Sequence, residues 1–84
     1  MILLRTFPKA PGYNEVRVFW RDGVMLARAY WLGEAADYRL GKVPSVNVAR
    51  KIARSVHDFP TGGPLNALDC AFSRWEHGLM EDAR

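Results

Sequence analysis

The side chains that most often perform chemistry in proteins are few in this chain, and they lie apart from one another. The sequence holds two histidines, His57 and His77, and one cysteine, Cys70. A zinc site needs three or four ligands at short spacings, and a nucleophilic cysteine needs a base directed at it and an oxyanion hole. Because neither pattern is present, we expect no metal site and no catalytic residue, and we expect Cys70 to be a small buried apolar residue.

The glycine-containing segment at residues 61–64 is the remaining candidate for chemistry. Its sequence, Thr-Gly-Gly-Pro, precedes an expected helix, as a phosphate-binding loop does, but it lacks the lysine and the upstream glycine of such a loop. The segment is typical of a tight connector, with Pro64 at the first position of the following helix. The sequence therefore predicts a non-enzymatic protein that needs no cofactor.

The charge of the chain is unevenly distributed. Residues 1–54 hold ten of the twelve basic and four of the nine acidic residues, whereas residues 55–84 hold two basic and five acidic ones. An uneven charge is compatible with an ordinary solvated surface. The uneven charge also fits a basic N-terminal face that binds an acidic partner, which is the more specific hypothesis.

Length and composition predict one folded domain, residues 1–84. With 49% hydrophobic and 25% charged residues, the chain has the composition of a globular protein and not of a disordered one. Arg5 interrupts the apolar run at residues 1–4, so we expect neither a signal peptide nor a membrane span. The expected location is the cytoplasm.

Alternating side chains predict a β-hairpin in the N-terminal half. Residues 15–21 and 24–32 each alternate with a period of two, and the Asp22-Gly23 pair between them favours a tight turn. Residues 2–7 and 37–43 are expected to add a strand on either side. The wholly apolar set of the hairpin should face the core: Val16, Val18, Trp20, Met25, Ala27, Ala29 and Trp31.

Two helices are expected after the strands. Ser45 is a suitable N-cap, and apolar residues then recur every three or four positions until the first helix stops by about Phe59, before Pro60. The tail at residues 81–84 should fray. The second helix carries an apolar stripe: Leu65, Leu68, Phe72, Trp75 and Leu79. The expected fold class is therefore α+β, a small antiparallel sheet of three to four strands in an N-terminal meander, covered on one face by two C-terminal α-helices.

The uncovered face of this sheet carries the candidate binding residues. All three tryptophans belong to the core by their spacing, but two other aromatic residues fall on the opposite face among arginines. Aromatic and arginine side chains are enriched at interface anchors. The same combination also binds single-stranded nucleic acid through base stacking and phosphate contacts, so both kinds of partner stay open. The residues concerned are Arg17, Phe19, Arg21, Arg28 and Tyr30.

Several local features follow one another along residues 13–76. They are Tyr13 before Val16-Arg17-Val18-Phe19, the Asp22-Gly23 hairpin, Ala27-Arg28, the Ser45 cap, the connector at residues 60–63, and Ser73-Arg74-Trp75-Glu76. In this order they resemble a small phage-encoded anti-CRISPR protein, of the kind that binds the backbone subunits of a type I CRISPR surveillance complex. The resemblance implies a sheet with two packed helices, and a non-catalytic inhibitor that keeps target DNA from the guide RNA in the host bacterial cytosol.

The resemblance also implies which residues touch the partner. Family contact positions fall at Phe19, where the family has a tyrosine, and at Tyr30, where it has an acid. A third falls at Arg5 or Thr6. The arginines make this face more basic than that of the family, which implies contact with an acidic patch. The expected partner-binding residues are Arg5, Arg17, Phe19, Arg21, Arg28 and Tyr30.

Other classes of function stay open beside the inhibitor. The same face would suit a small nucleic-acid-binding or phage regulatory protein, and the chain would also suit a toxin–antitoxin partner or another interaction module. Salt dependence separates the first two classes, because a phosphate binder loses affinity steeply as the salt concentration rises.

Overall fold

The computed structural model describes residues 1–8, 14–57 and 63–80, which form a sheet followed by two helices. The strands pair antiparallel in the order β1-β2-β3-β4, so each lies beside its neighbour in the sequence. Both helices pack on the sheet. The predicted α+β fold is confirmed. The elements are β1 (Ile2–Pro8), β2 (Glu15–Arg21), β3 (Val24–Trp31), β4 (Glu34–Lys42), α1 (Val46–Arg54) and α2 (Gly63–Glu76).

The turns between β2, β3 and β4 each contain two residues with positive φ. Asp22 and Gly23 have φ values of 49° and 81°, and Leu32 and Gly33 have values of 46° and 79°. Two consecutive positive values match the type I′ turn, whose twist suits the flanking strands. The first turn lies where the Asp-Gly pair predicts it. The second is so tight that β4 begins at Glu34, three residues earlier than expected.

The core lies between the two helices and the side of the sheet that faces them, the inner face. The alternation of β2 and β3 is confirmed, because the residues predicted to point inward are buried or pack against the buried cluster. All three tryptophans are partly buried against this cluster, and Trp20 Nε1 donates a 2.7 Å hydrogen bond to the Val43 carbonyl. The fully buried positions of the hairpin are Val16, Val18, Met25, Ala27 and Ala29.

The first helix begins as predicted and ends within the predicted limit. Ser45 has an extended backbone, and its Oγ accepts a 3.2 Å hydrogen bond from the amide of Asn47. At the other end, Ser55 is the C-cap, and its hydroxyl donates a 2.7 Å hydrogen bond to the Ile52 carbonyl. The helix therefore stops at Arg54, well before the predicted limit at Phe59.

The second helix differs from the prediction at its C-terminal end. Gly78, with a φ of 73°, closes a Schellman motif in which the Leu79 amide donates to the Arg74 carbonyl at 2.8 Å. Leu79 consequently lies outside α2 and is 71% exposed, so its assignment to the apolar stripe is wrong.

Cys70 is exposed, and its expected burial is also wrong. It stands two positions from both Leu68 and Phe72, which places it on the opposite side of a helix with 3.6 residues per turn. The predictions for residues 59–62 and for the tail at residues 81–84 lie outside the described residues.

Gly41 allows α2 to approach β4 closely. A Cβ atom at position 41 would stand 2.3 Å from Cζ and 2.8 Å from Cε1 of the Phe72 ring. Non-bonded carbon atoms are normally about 3.5–4.0 Å apart. The absence of a side chain at Gly41 is therefore what leaves room for the buried ring of Phe72.

Replacement of Gly41 by alanine should lower the free energy of unfolding by about 1–3 kcal/mol, because it overpacks the contact with Phe72. Urea denaturation followed by tryptophan fluorescence measures this change. The same substitution in a Phe72→Leu background should cost less, since leucine lacks the ring atoms that clash. An equal cost in both backgrounds would show that Phe72 is not the cause.

Candidate functional site

Five of the six expected binding residues lie on the side of the sheet that faces away from the helices, the outer face. They are the positions of β2 and β3 that alternate with the buried ones, and pairing between strands brings residues of β1 and β4 beside them. The outer face comprises Leu3 and Thr6 of β1, Glu15, Arg17, Phe19 and Arg21 of β2, Val24, Leu26, Arg28 and Tyr30 of β3, and Ala35, Asp37, Arg39 and Lys42 of β4.

Arg5, the sixth expected residue, lies on the inner face. A register shift in β1 just before it places Arg5 opposite the buried Val18. Its Nη1 donates hydrogen bonds to the carbonyl oxygens of Ala53 (2.8 Å) and Val56 (2.6 Å). A cation at this position complements the negative end of the α1 dipole. Arg5 therefore secures α1 to β1 and is not part of the outer face, where Thr6 lies instead.

The two aromatic rings of the outer face are covered by arginine side chains from the neighbouring strand. The guanidinium carbon of Arg17 lies 4.9 Å from the centroid of the Tyr30 ring, and that of Arg28 lies 5.5 Å from the centroid of Phe19. Both distances fall within the range of a cation–π interaction. Since Arg17 and Arg28 are direct partners across β2 and β3, each reaches the ring diagonal to it.

Phe19 lies on the predicted face but is not the exposed ring that the sequence predicts. Only 9% of its surface is accessible, although it is not a member of the core cluster. Leu3 and Leu26 stand opposite it on the adjacent strands, and Arg28 lies over its ring. The side chains around Phe19 thus form a small apolar cluster on the outer face, with a guanidinium group on top.

Carboxylates orient the two central arginines. Arg17 Nε donates to Glu15 Oε2 on the same strand. Arg28 makes a bidentate contact with its cross-strand partner Asp37, with Nε donating to Oδ1 at 2.6 Å and Nη2 to Oδ2 at 3.1 Å. Paired hydrogen bonds of this kind fix the plane of a guanidinium group.

The same contacts shift the ionisation of the pair. The hydrogen bond from Arg28 holds the pKa of Asp37 below its ordinary value. In turn, the hydrogen bonds to Asp37, and then the proximity of Tyr30, raise the pKa of Arg28 above its usual range. Both effects favour the charged forms, so Arg28 and Asp37 remain an ion pair near neutral pH.

Three further cations of the outer face are available to a partner. The Arg21 side chain is 67% exposed, and its only ion-pair contact among the described residues is with the more exposed Asp22 at 3.6 Å. Arg39 and Lys42 are exposed and form no ion pair with another described residue. With Arg17 and Arg28, the described outer face therefore presents five cations against two carboxylates, those of Glu15 and Asp37.

Residues 1–8, 14–57 and 63–80 contain no group of three or more metal-ligating side chains. No helix within these ranges is long and apolar enough to cross a membrane. No protein-family model, curated protein or solved structure matches the chain. The resemblance to anti-CRISPR proteins therefore stays a prediction.

Replacement of Arg5 by methionine tests its structural role. The variant should lose about 1.5–3 kcal/mol of unfolding free energy, because a charged donor to the carbonyls of Ala53 and Val56 is removed. Arg21→Met removes an exposed arginine from the other face and should change the unfolding free energy by about 0.5 kcal/mol or less. Urea denaturation of both variants gives the comparison, and equal stabilities would contradict the assignment of Arg5.

Proposed function

We propose that this chain is a non-enzymatic binding protein, and that its outer face docks against an acidic surface of a protein partner. The observation that carries the proposal is the central pair Arg17 and Arg28, which lie side by side, each over an aromatic ring and each hydrogen-bonded to a carboxylate. Arginine side chains ordered in advance lose less conformational entropy on binding than free ones do.

The covered rings favour a protein partner over single-stranded nucleic acid. Base stacking needs an exposed aromatic face. Phe19 is 9% exposed, and Arg17 lies over the Tyr30 ring. What the described outer face offers instead is guanidinium groups, which bind carboxylates through parallel hydrogen bonds.

Binding of a nucleic-acid backbone is the second candidate. Five cations on one face would neutralise several phosphates without any base stacking. In this alternative the chain is a small nucleic-acid-binding or phage regulatory protein that uses the same basic and aromatic face.

The sequence resemblance makes the backbone subunits of a type I CRISPR surveillance complex the first partner to test. In this proposal the outer face docks on an acidic patch of a subunit and keeps target DNA from the guide RNA. The excess of cations on that face supports an acidic counterpart, since complementary charge both steers association and disfavours other partners.

Charge reversal on the two sides of the fold tests the proposal. Arg17→Glu should weaken binding to a purified type I surveillance complex by about tenfold or more, as loss of a central interface arginine does. Arg50→Glu on the exposed side of α1 makes the same charge change away from the outer face. This matched control should leave the affinity within about twofold, since Arg50 lies outside the proposed interface and its charge is screened by salt.

The outcomes of this experiment are distinct. Equal losses for Arg17→Glu and Arg50→Glu would contradict docking through the outer face. If the chain instead binds single-stranded DNA, with an affinity that falls steeply with salt and depends on Arg17, the nucleic-acid alternative replaces the protein partner. Circular dichroism of both variants verifies that each remains folded.

A further inference from the structure

A basic cleft lies where the last turns of α1 and α2 come together, on the helix side of the molecule. Its volume is about 650 Å³, which falls within the range of small-molecule sites. Three cations and a histidine contribute to its wall, and no described carboxylate does. The lining residues are Lys51, Arg54, Ser55, His57, Arg74, Leu79 and Met80.

Capping of α1 does not account for these cations. Basic side chains near a helix C-terminus commonly hydrogen-bond the last carbonyl groups. At this end of α1, Arg5 donates to the carbonyls of Ala53 and Val56, and the Ser55 hydroxyl donates to that of Ile52. Side chains other than the cleft cations therefore donate the hydrogen bonds at this end of α1.

The cleft cations also have no counter-ion among the described residues. No ion pair or hydrogen bond joins the side chain of Lys51, Arg54 or Arg74 to any residue in 1–8, 14–57 or 63–80. Like charges that share a cleft repel one another, and an anion bound between them relieves that repulsion.

We propose that this cleft binds a phosphate-bearing ligand through Lys51, Arg54 and Arg74. Phosphate oxygens suit this set, because each arginine can donate two parallel hydrogen bonds and the lysine adds a mobile point charge. Leu79 is 71% exposed at the cleft, so it supplies apolar surface for a nucleoside or sugar attached to the phosphates. The site is separate from the outer face and does not depend on the proposed function.

Two phosphate probes test this site and distinguish its possible sources. Tripolyphosphate represents a free phosphate ligand, and an oligothymidine of about ten nucleotides represents a nucleic-acid backbone. Each is titrated into isotopically labelled protein and followed by ¹H–¹⁵N NMR. The proposal predicts saturable shifts at the amides of Lys51, Arg54 and Arg74 with at least one probe, and the probe with the higher affinity identifies the source.

Arg54→Glu should weaken that binding by about tenfold or more, because it replaces a phosphate donor with a repelling carboxylate. Arg50→Glu is the matched control, since it makes the same charge change on the same helix outside the cleft lining. Its affinity should fall by clearly less than that of Arg54→Glu, because Arg50 is not part of the cleft lining and makes no direct contact with a ligand there. Circular dichroism verifies that both variants fold.

Three results would overturn the proposal. One is the lack of saturable shifts with either probe. Another is an equal loss in Arg50→Glu and Arg54→Glu, which would assign binding to net charge alone. The third is equal displacement of the probe by sulfate at matched ionic strength, which would reduce the cleft to a site for an adventitious ion only.

Discussion

The register of β2 against β3 is the constraint on which the rest of the structure depends. The Asp22-Gly23 turn sets it, and it places Val18 opposite Ala27 on the inner face and Arg17 opposite Arg28 on the outer face. Because side chains alternate with a period of two, a slip of one residue would turn the arginines toward the helices and the valines toward solvent. One tight turn thus determines both the core and the candidate binding surface.

This constraint explains which features could be predicted from the sequence. The alternation around the Asp-Gly pair is local, so the hairpin, the inward-facing residues and the placement of Arg17, Phe19 and Tyr30 follow from it. The Ser45 cap could be predicted for the same reason, since its hydrogen bond to Asn47 spans two residues. Predictions succeeded where the deciding interaction lies within a few positions of the chain.

The expected outward position of Arg5 and the expected exposure of Phe19 are wrong, because contacts with other elements decide both environments. A register shift in β1 reverses the side on which Arg5 lies, and the carbonyl groups that it contacts are 48 and 51 residues away. Phe19 is covered by side chains of the two adjacent strands, Leu3 of β1 and Leu26 and Arg28 of β3. The end of α2 could have been predicted from the sequence, because Gly78 followed by an apolar residue is a recognisable helix-termination signal. This signal explains why Leu79 leaves the helix.

The outer face holds Arg17 and Arg28 in place before any partner binds. This can be measured in the free protein through the ¹⁵N relaxation of the arginine Nε–H groups, which reports side-chain order on the fast timescale. We expect Arg17 and Arg28 to be more ordered than the exposed Arg21 and Arg50, because ring and carboxylate contacts restrict them. Equal mobility of all four side chains would contradict it.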